Sequence, residues 1–236
     1  MVLTAWLCLF LFPGFGQTTI NVDKVDGNPL SKHFYVVGGN PVNTAKYVKI
    51  VSGSPYFSEN KMPGSLEAPD GGVVKGLMLR LDLVENLVLY SIGDGEELSA
   101  TSPVSKVQLT DTALGKSYSF VHSSTIPVTD PAVEHGWYQV LLSGTASLYK
   151  KITKRINESR PYNSATYEQS IQSVSTYFIL SKKSFTRLKK ITAIPGLLSD
   201  KKETLAAYLK TNRFSGKTDD DYINLVRFYN DSLVGK

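Results

Sequence analysis

The stretch that decides the fold is VVKGLMLRLDLVENLVLYS, residues 73–91. Every second residue from Leu77 to Leu83 is leucine, whereas Arg80 and Asp82 lie between the leucines. Successive side chains of a β-strand point to opposite faces of the sheet. The alternation therefore predicts a strand whose leucines face a dry interior and whose other face is wet.

Further strands are predicted on both sides of this stretch. Glu85-Asn86 predicts a two-residue turn into a strand at 87–92. The other predicted strands are 20–25, 33–37, 45–52, 62–67, 104–109, 117–122, 136–143, 146–156, 174–180 and 184–190. Residues 157–170 are predicted to form the longest loop. Short strands at this spacing favour an antiparallel sheet, either a meander or sandwich or a curled sheet.

The last 45 residues instead predict helices. Asp200 with Glu203 resembles a capping box, and Thr218 is placed to cap a second helix. Both helices are too short to be stable alone, so they are expected to pack on the sheet. The predicted fold class is mainly β (α+β), with a β domain at 17–191 and a small C-terminal helical pair within 192–236.

The first residues, MVLTAWLCLFLFPGFGQ, predict export. An apolar run is followed by small residues, which is typical of a signal peptide at 1–16 cleaved between Gly16 and Gln17. The run is too short to span a bilayer as a helix, so no membrane-spanning segment is expected. Cys8 is the only cysteine, so the mature chain has no disulfide, which favours a bacterial periplasmic, surface-associated or secreted location. N-terminal sequencing checks the cleavage point, and a mature chain that starts at Met1 would contradict it.

The positive charge lies in the second half of the chain. Residues 1–145 carry nine basic and 13 acidic side chains, whereas residues 146–236 carry 17 basic and eight acidic ones. A basic binding strip is predicted at Lys150, Lys151, Lys154, Arg155, Lys182, Lys183, Arg187, Lys189 and Lys190. Its candidate partners are an anionic polymer, lipid headgroups or another envelope protein, and export makes nucleic acid the least favoured. The alternative is that lysines on edge strands prevent sheet aggregation.

No reaction centre is predicted. His33, His122 and His135 are far apart and lack metal-ligand spacing, and no Gly-x-Ser-x-Gly elbow is present. Gly216-Lys217-Thr218 matches only the end of a phosphate-binding loop, because Thr211 stands where the pattern needs glycine. The sequence therefore predicts a protein that is not an enzyme and holds no metal or cofactor.

Several segments resemble a known group of proteins. GSPYFSENKMPGSLEAPDGGVVKGLMLRLDLVENLVLY, SRPYNSATYEQSI and the closing YLKTNRF and DDDYINLVRFYND are similar to segments of uncharacterised exported proteins of Bacteroidota. Leu81-Asp82 departs from the Tyr-Asn that is usual there. The resemblance implies export and a similar fold, and it carries no activity.

The predicted function is that of an exported, non-enzymatic binding or interaction protein of the bacterial cell envelope, with an unknown ligand. The alternative is a carrier of lipid or another apolar ligand in a curved β-sheet. A carrier requires a continuous apolar cavity of roughly 300–1,000 Å³. An interaction protein instead has a filled core and an exposed patch.

Overall fold

A computed structural model describes residues 39–42, 44, 46–92, 95–128, 133–163 and 165–234. The predicted signal peptide and the predicted strands at 20–25 and 33–37 lie outside the described residues. His33 lies outside them as well.

The described residues form twelve strands and three α-helices. The strands are β1 (Asn40–Pro41), β2 (Ile50–Ser52), β3 (Met62–Glu67), β4 (Val73–Asp82), β5 (Leu87–Ser91), β6 (Leu98–Ser99), β7 (Lys106–Asp111), β8 (Lys116–His122), β9 (Trp137–Leu142), β10 (Ala146–Ser159), β11 (Glu168–Ser181) and β12 (Ser184–Leu188). The helices are α1 (Ile194–Leu197), α2 (Lys202–Thr211) and α3 (Asp219–Val234). The predicted loop at 157–170 is shorter than expected, because β10 and β11 extend into both of its ends.

All described strands belong to one sheet. Its order is β1-β6-β5-β4-β3-β7-β8-β9-β10-β11-β12, so two meanders join where β3 pairs with β7. The pairs along this path are antiparallel, and β2 alone pairs in parallel, with β11. The prediction of a mainly antiparallel β fold with a C-terminal helical pair is confirmed.

The sheet is strongly curled. Six strand spacings separate β4 from β11, which corresponds to about 29 Å in a flat sheet. Yet the Tyr47 hydroxyl donates to Asp82 at the end of β4 at 2.6 Å, while the amide of the next residue, Val48, donates to Gln169 of β11 at 2.9 Å. The segment around these residues therefore joins two distant strands.

The predicted burial of the β4 leucines is confirmed. Leu77, Leu79 and Leu81 are at most 1% exposed and belong to the main hydrophobic cluster. The expectation of a wet opposite face is wrong at Asp82, which is 3% exposed. The curled sheet brings Tyr47 onto this face, and the Asp82 carboxylate accepts a hydrogen bond from its hydroxyl.

The turn after β4 is longer than the predicted two residues. Asp82 pairs with Leu87, so four residues form the turn. The Asp82 carboxylate accepts hydrogen bonds from the amides of Val84 and Glu85, both at 2.9 Å, and Asn86 has a φ of 59°. An aspartate that bonds to amides two and three residues ahead stabilises such a turn.

The helices pack on β9, β10 and β11. Leu205 of α2 and Leu225, Val226 and Tyr229 of α3 are buried in a cluster with Leu148 of β10. Leu148 and Ile152 lie on one face of β10, and Ile152 packs on the main cluster that contains the β4 leucines. The helices therefore cover one end of the same sheet face.

Of the two predicted helix caps, one is present in the structure and the other is not. Thr218 accepts a hydrogen bond from the Asp221 amide at 3.3 Å, as predicted. The predicted capping box at Asp200 is wrong: α2 begins after Lys201, with no side-chain cap. The Asp200 carboxylate instead accepts from the buried Tyr229 hydroxyl, at 3.1–3.2 Å, and so joins the chain before α2 to α3. Among the described residues, no helix is long and apolar enough to cross a membrane.

Candidate binding cleft

One edge of β11 is open over its middle. β10 pairs with β11 along its whole length. On the other side, β2 pairs only with Gln169 and Ser170, and β12 pairs only from Tyr177 onward. Residues 171–176 therefore have no strand on that side within the described part of the chain. We call residues 172–176 the open edge; residues 172–175 are exposed.

The backbone direction along this edge follows from its two ends. The Gln169 amide donates to the Lys49 carbonyl of the segment that leads into β2, at 3.2 Å. Because hydrogen-bonding direction alternates along a strand, the N–H and C=O groups of Ser173 and Ser175 also point outward. No described strand pairs with these groups, so two donors and two acceptors face outward at the edge.

A cleft of about 570 Å³ lies beside the open edge. It is lined by residues 174–177 and 187–189, with Gly216 and Tyr222. Gly216 has a φ of +72°, and a Cβ there would lie 3.0 Å from Ile191, so the wall needs glycine. The Asp221 carboxylate accepts from the Gly216 amide at 2.8 Å, which fixes this wall to the start of α3.

Two stacked tyrosines also line the cleft. The rings of Tyr177 and Tyr222 are 3.9 Å apart and nearly parallel. The Tyr177 hydroxyl donates to Asp219 at 2.6 Å, and Lys150 Nζ donates to the same carboxylate at 2.9 Å. Burial and then the hydrogen bond to Asp219 raise the pKa of Tyr177, so its hydroxyl stays a donor at neutral pH. Lys150 is thus an internal partner of Asp219 and not a free cation.

Four residues of the predicted basic strip surround the open edge. Arg187 and Lys189 are exposed and line the cleft where β12 ends. Lys154 and Arg155 of β10 lie directly opposite Ser173 and Gln172. Alternation places Lys154 and Arg155 on opposite faces of the sheet. Burial lowers the pKa of Lys154, and Glu59 opposes this shift.

The remaining strip residues have other surroundings. Lys151 is 7% exposed and donates to the His135 carbonyl at 2.8 Å and pairs with Glu134 at 3.2 Å. Burial lowers the pKa of Lys151, and Glu134 opposes this. Lys182 pairs with Asp200 at 3.6 Å, and Lys183 and Lys190 are exposed. The binding role of the strip stays a prediction, and Lys151 primarily holds the 133–136 segment.

A second cleft contains two histidines. The rings of His122 and His135 are 5.1 Å apart, and Trp137 lies 5.3 Å from His122. Both histidines line a cavity of about 330 Å³ and an adjoining one of about 670 Å³. No group of three potential metal ligands occurs among the described residues. We call the smaller cavity the histidine cleft.

The protonation state of His122 follows from its neighbours. Its Nδ1 accepts from the Ser124 amide at 3.3 Å and lies 2.8 Å from the Ser124 hydroxyl. Acceptance at Nδ1 places the proton of the neutral ring on Nε2. Burial, and then the charge of His135, lower the pKa of His122.

We expect His122 to make stability depend on pH in the range near and below the ordinary histidine pKa of about 6.5. A depressed pKa means that the unfolded chain binds the proton more readily, so stability is present above that pKa and lost as the pH falls. His122→Asn keeps an acceptor for the Ser124 amide and removes the titration. The melting temperature of the His122→Asn variant should fall less than that of the parent when the pH is lowered from 7.5 to 5.5. An equal fall of the melting temperature in the variant and the parent would contradict the expectation.

Sequence reasoning placed the basic residues but missed both clefts. The two histidines meet because β8 and the 133–136 segment are neighbours, and no local spacing indicates this. The open edge arises from the different lengths of β11 and β12. Its one sequence signal is the polar run QSVST, residues 172–176.

Comparison with family models, with curated proteins and with solved structures finds no match to this chain. The function of the clefts therefore has to be inferred from their own geometry.

Proposed function

We propose that the protein is an exported, non-enzymatic binding protein of the bacterial cell envelope, and that it binds an anionic partner at the open edge of β11. The observation that supports this is the position of Arg187 and Lys189 in the cleft, with Lys154 and Arg155 across the strand. Cations of this kind attract and orient an anionic partner.

The apolar N-terminal run with small residues before Gln17 supports the export part of the proposal. An envelope protein meets acidic protein segments, anionic polymers and lipid headgroups. Among these, a protein segment is the partner whose extended shape fits a strand edge.

The alternative of an apolar-ligand carrier has less support. The sheet face that carries the β4 leucines is packed with side chains such as Leu66, Leu79 and Phe120, which are at most 1% exposed. The histidine cleft has a suitable volume for a small ligand. However, Glu85, Asn86 and the histidines line it, and an apolar ligand would leave such polar groups without partners.

Arg187→Glu combined with Lys189→Glu should weaken binding of a fluorescein-labelled poly-L-glutamate by at least about tenfold, because attraction at two positions becomes repulsion. Fluorescence anisotropy measures the affinity. Binding by the parent should also weaken as salt is raised from 50 to 300 mM, since exposed charges are screened.

The matched control is Lys75→Glu combined with Lys116→Glu. Both lysines are exposed, on β4 and β8, and neither lines the cleft. This pair makes the same change in net charge. Equal losses in the two double variants would mean that only net charge matters, and would overturn the proposed site. Anionic vesicles and heparin, measured in parallel, show whether the cleft prefers lipid headgroups or a polysaccharide.

A further inference from the structure

We infer that the partner binds by strand addition: an extended acidic peptide segment pairs with the open edge of β11 between β2 and β12. The inference rests on the proposed function and specifies how the same cleft recognises its partner. An added strand gains main-chain hydrogen bonds from the sheet edge, and side-chain pockets then supply specificity.

The open edge has a defined length and can pair with a peptide of matching length. From Ile171 to Tyr177 the strand rises about 20 Å, which corresponds to a peptide of about five residues. Gly53 closes one end: a Cβ there would lie 2.1 Å from the Ile171 carbonyl oxygen. At the other end, β12 stops at Leu188, and the chain continues into a 3-10 helix at Ile191–Ala193. Among the residues that the structure describes, no strand fills the gap between these two ends.

The outward N–H and C=O groups of Ser173 and Ser175 supply the hydrogen bonds. Their side chains are small, so they do not hinder the approach of another backbone. Val174 points to the opposite face from the two serines and is 51% exposed. It offers an apolar contact to an alternate side chain of the added strand.

The charges favour an acidic peptide over a second copy of this chain. An added strand lies about 9.6 Å from β10, two strand spacings away, within reach of long basic side chains. Lys154 approaches one face of that strand, and Arg155 and Arg187 approach the other. Two copies that paired through this edge would bring these cations together, which disfavours self-association.

The probe is a fluorescein-labelled heptapeptide of alternating valine and glutamate, tested against the full chain by anisotropy. Its comparator has the same sequence with N-methyl groups on alternate amides, which keeps the charge and removes backbone donors. Alternate amides of an added strand point toward the edge, so one of the two possible methylation patterns removes two hydrogen bonds to it. Binding of that peptide should weaken by about tenfold or more. The two alternate methylation patterns are both tested.

A matched pair of variants tests the protein side. Ser175→Pro removes the outward N–H, which a proline at an edge position permits, whereas Ser175→Ala keeps it. We expect Ser175→Pro to lose about tenfold in peptide affinity and Ser175→Ala to bind like the parent. Hydrogen exchange of the Ser173 and Ser175 amides should slow when the peptide binds, and the melting temperature shows that both variants fold.

The outcomes separate the inference from the proposed function. Equal binding of the methylated peptides and of Ser175→Pro would overturn strand addition, while loss on charge reversal at Arg187 and Lys189 would still support anion binding. Protection of both amides in the free protein would also overturn it, since the edge would already be paired. Dimers that form with rising concentration would indicate a second copy as the occupant, and heparin or vesicle binding without peptide binding would indicate another partner.

Discussion

Leu81→Ala should lower the free energy of unfolding by about 2–5 kcal/mol. Leu81 is 0% exposed in the main hydrophobic cluster of the curled sheet. Truncation removes buried methyl groups and leaves a cavity that packed neighbours such as Leu79 and Val88 only partly fill. Urea denaturation followed by circular dichroism measures the loss, and an unchanged slope shows that the unfolded state is the same.

Met78→Ala on the same strand is the matched control. Its side chain points to the other face of β4 and lies outside the main cluster, and it is only partly buried. We expect it to cost about 1 kcal/mol or less. Similar losses at both positions would contradict the two-sided strand, because they would mean that both faces are equally packed.

The local patterns in the sequence predicted most of the sheet. Alternation from Leu77 to Leu83 reports on one strand and its immediate environment, so it predicted that these leucines are buried. The apolar spacing in α3 agrees with this, since Tyr222, Leu225, Val226 and Tyr229 are buried and Ile223 and Leu233 are partly buried. These features depend on neighbours within a few residues.

Features that depend on distant strands were not predicted. Asp82 is buried because curling brings Tyr47 onto its face, and its carboxylate then satisfies both Tyr47 and the turn amides. The contact of His122 with His135 depends on the pairing of β8 with β9. The pairing of strands that a long segment separates, and the curvature of the sheet, have no signature in a single sequence.

The candidate site was predicted only in part. The basic residues were identified from composition, but alternation divides Lys150 and Lys154 from Lys151 and Arg155. Lys150 pairs with Asp219, a residue 69 positions away in the chain. Which cations stay available for a partner therefore depends on tertiary contacts, and only the structure provides them.

Gly64→Ala should be strongly destabilising for the addition of a single methyl group. Gly64 lies in β3 between β4 and β7, and an added Cβ would be 2.1 Å from the Gln108 carbonyl oxygen and 2.8 Å from a Leu79 methyl carbon. The first contact is with backbone, so β3 and β7 must separate where the two meanders join. Overpacking typically costs about 1–3 kcal/mol, and the loss of strand pairing places this variant at or above the upper limit.

Gly196→Ala isolates the steric cause. Gly196 is exposed in α1, and a Cβ there meets nothing within 4 Å. Because alanine also reduces the entropy of the unfolded chain, this control should be neutral or stabilising by about 0.4–1 kcal/mol. Hydrogen exchange of the β7 amides should quicken in Gly64→Ala and not in Gly196→Ala. Equal stability of the two variants would mean that β3 and β7 are not in contact at Gly64, and the join between the meanders would then be wrong.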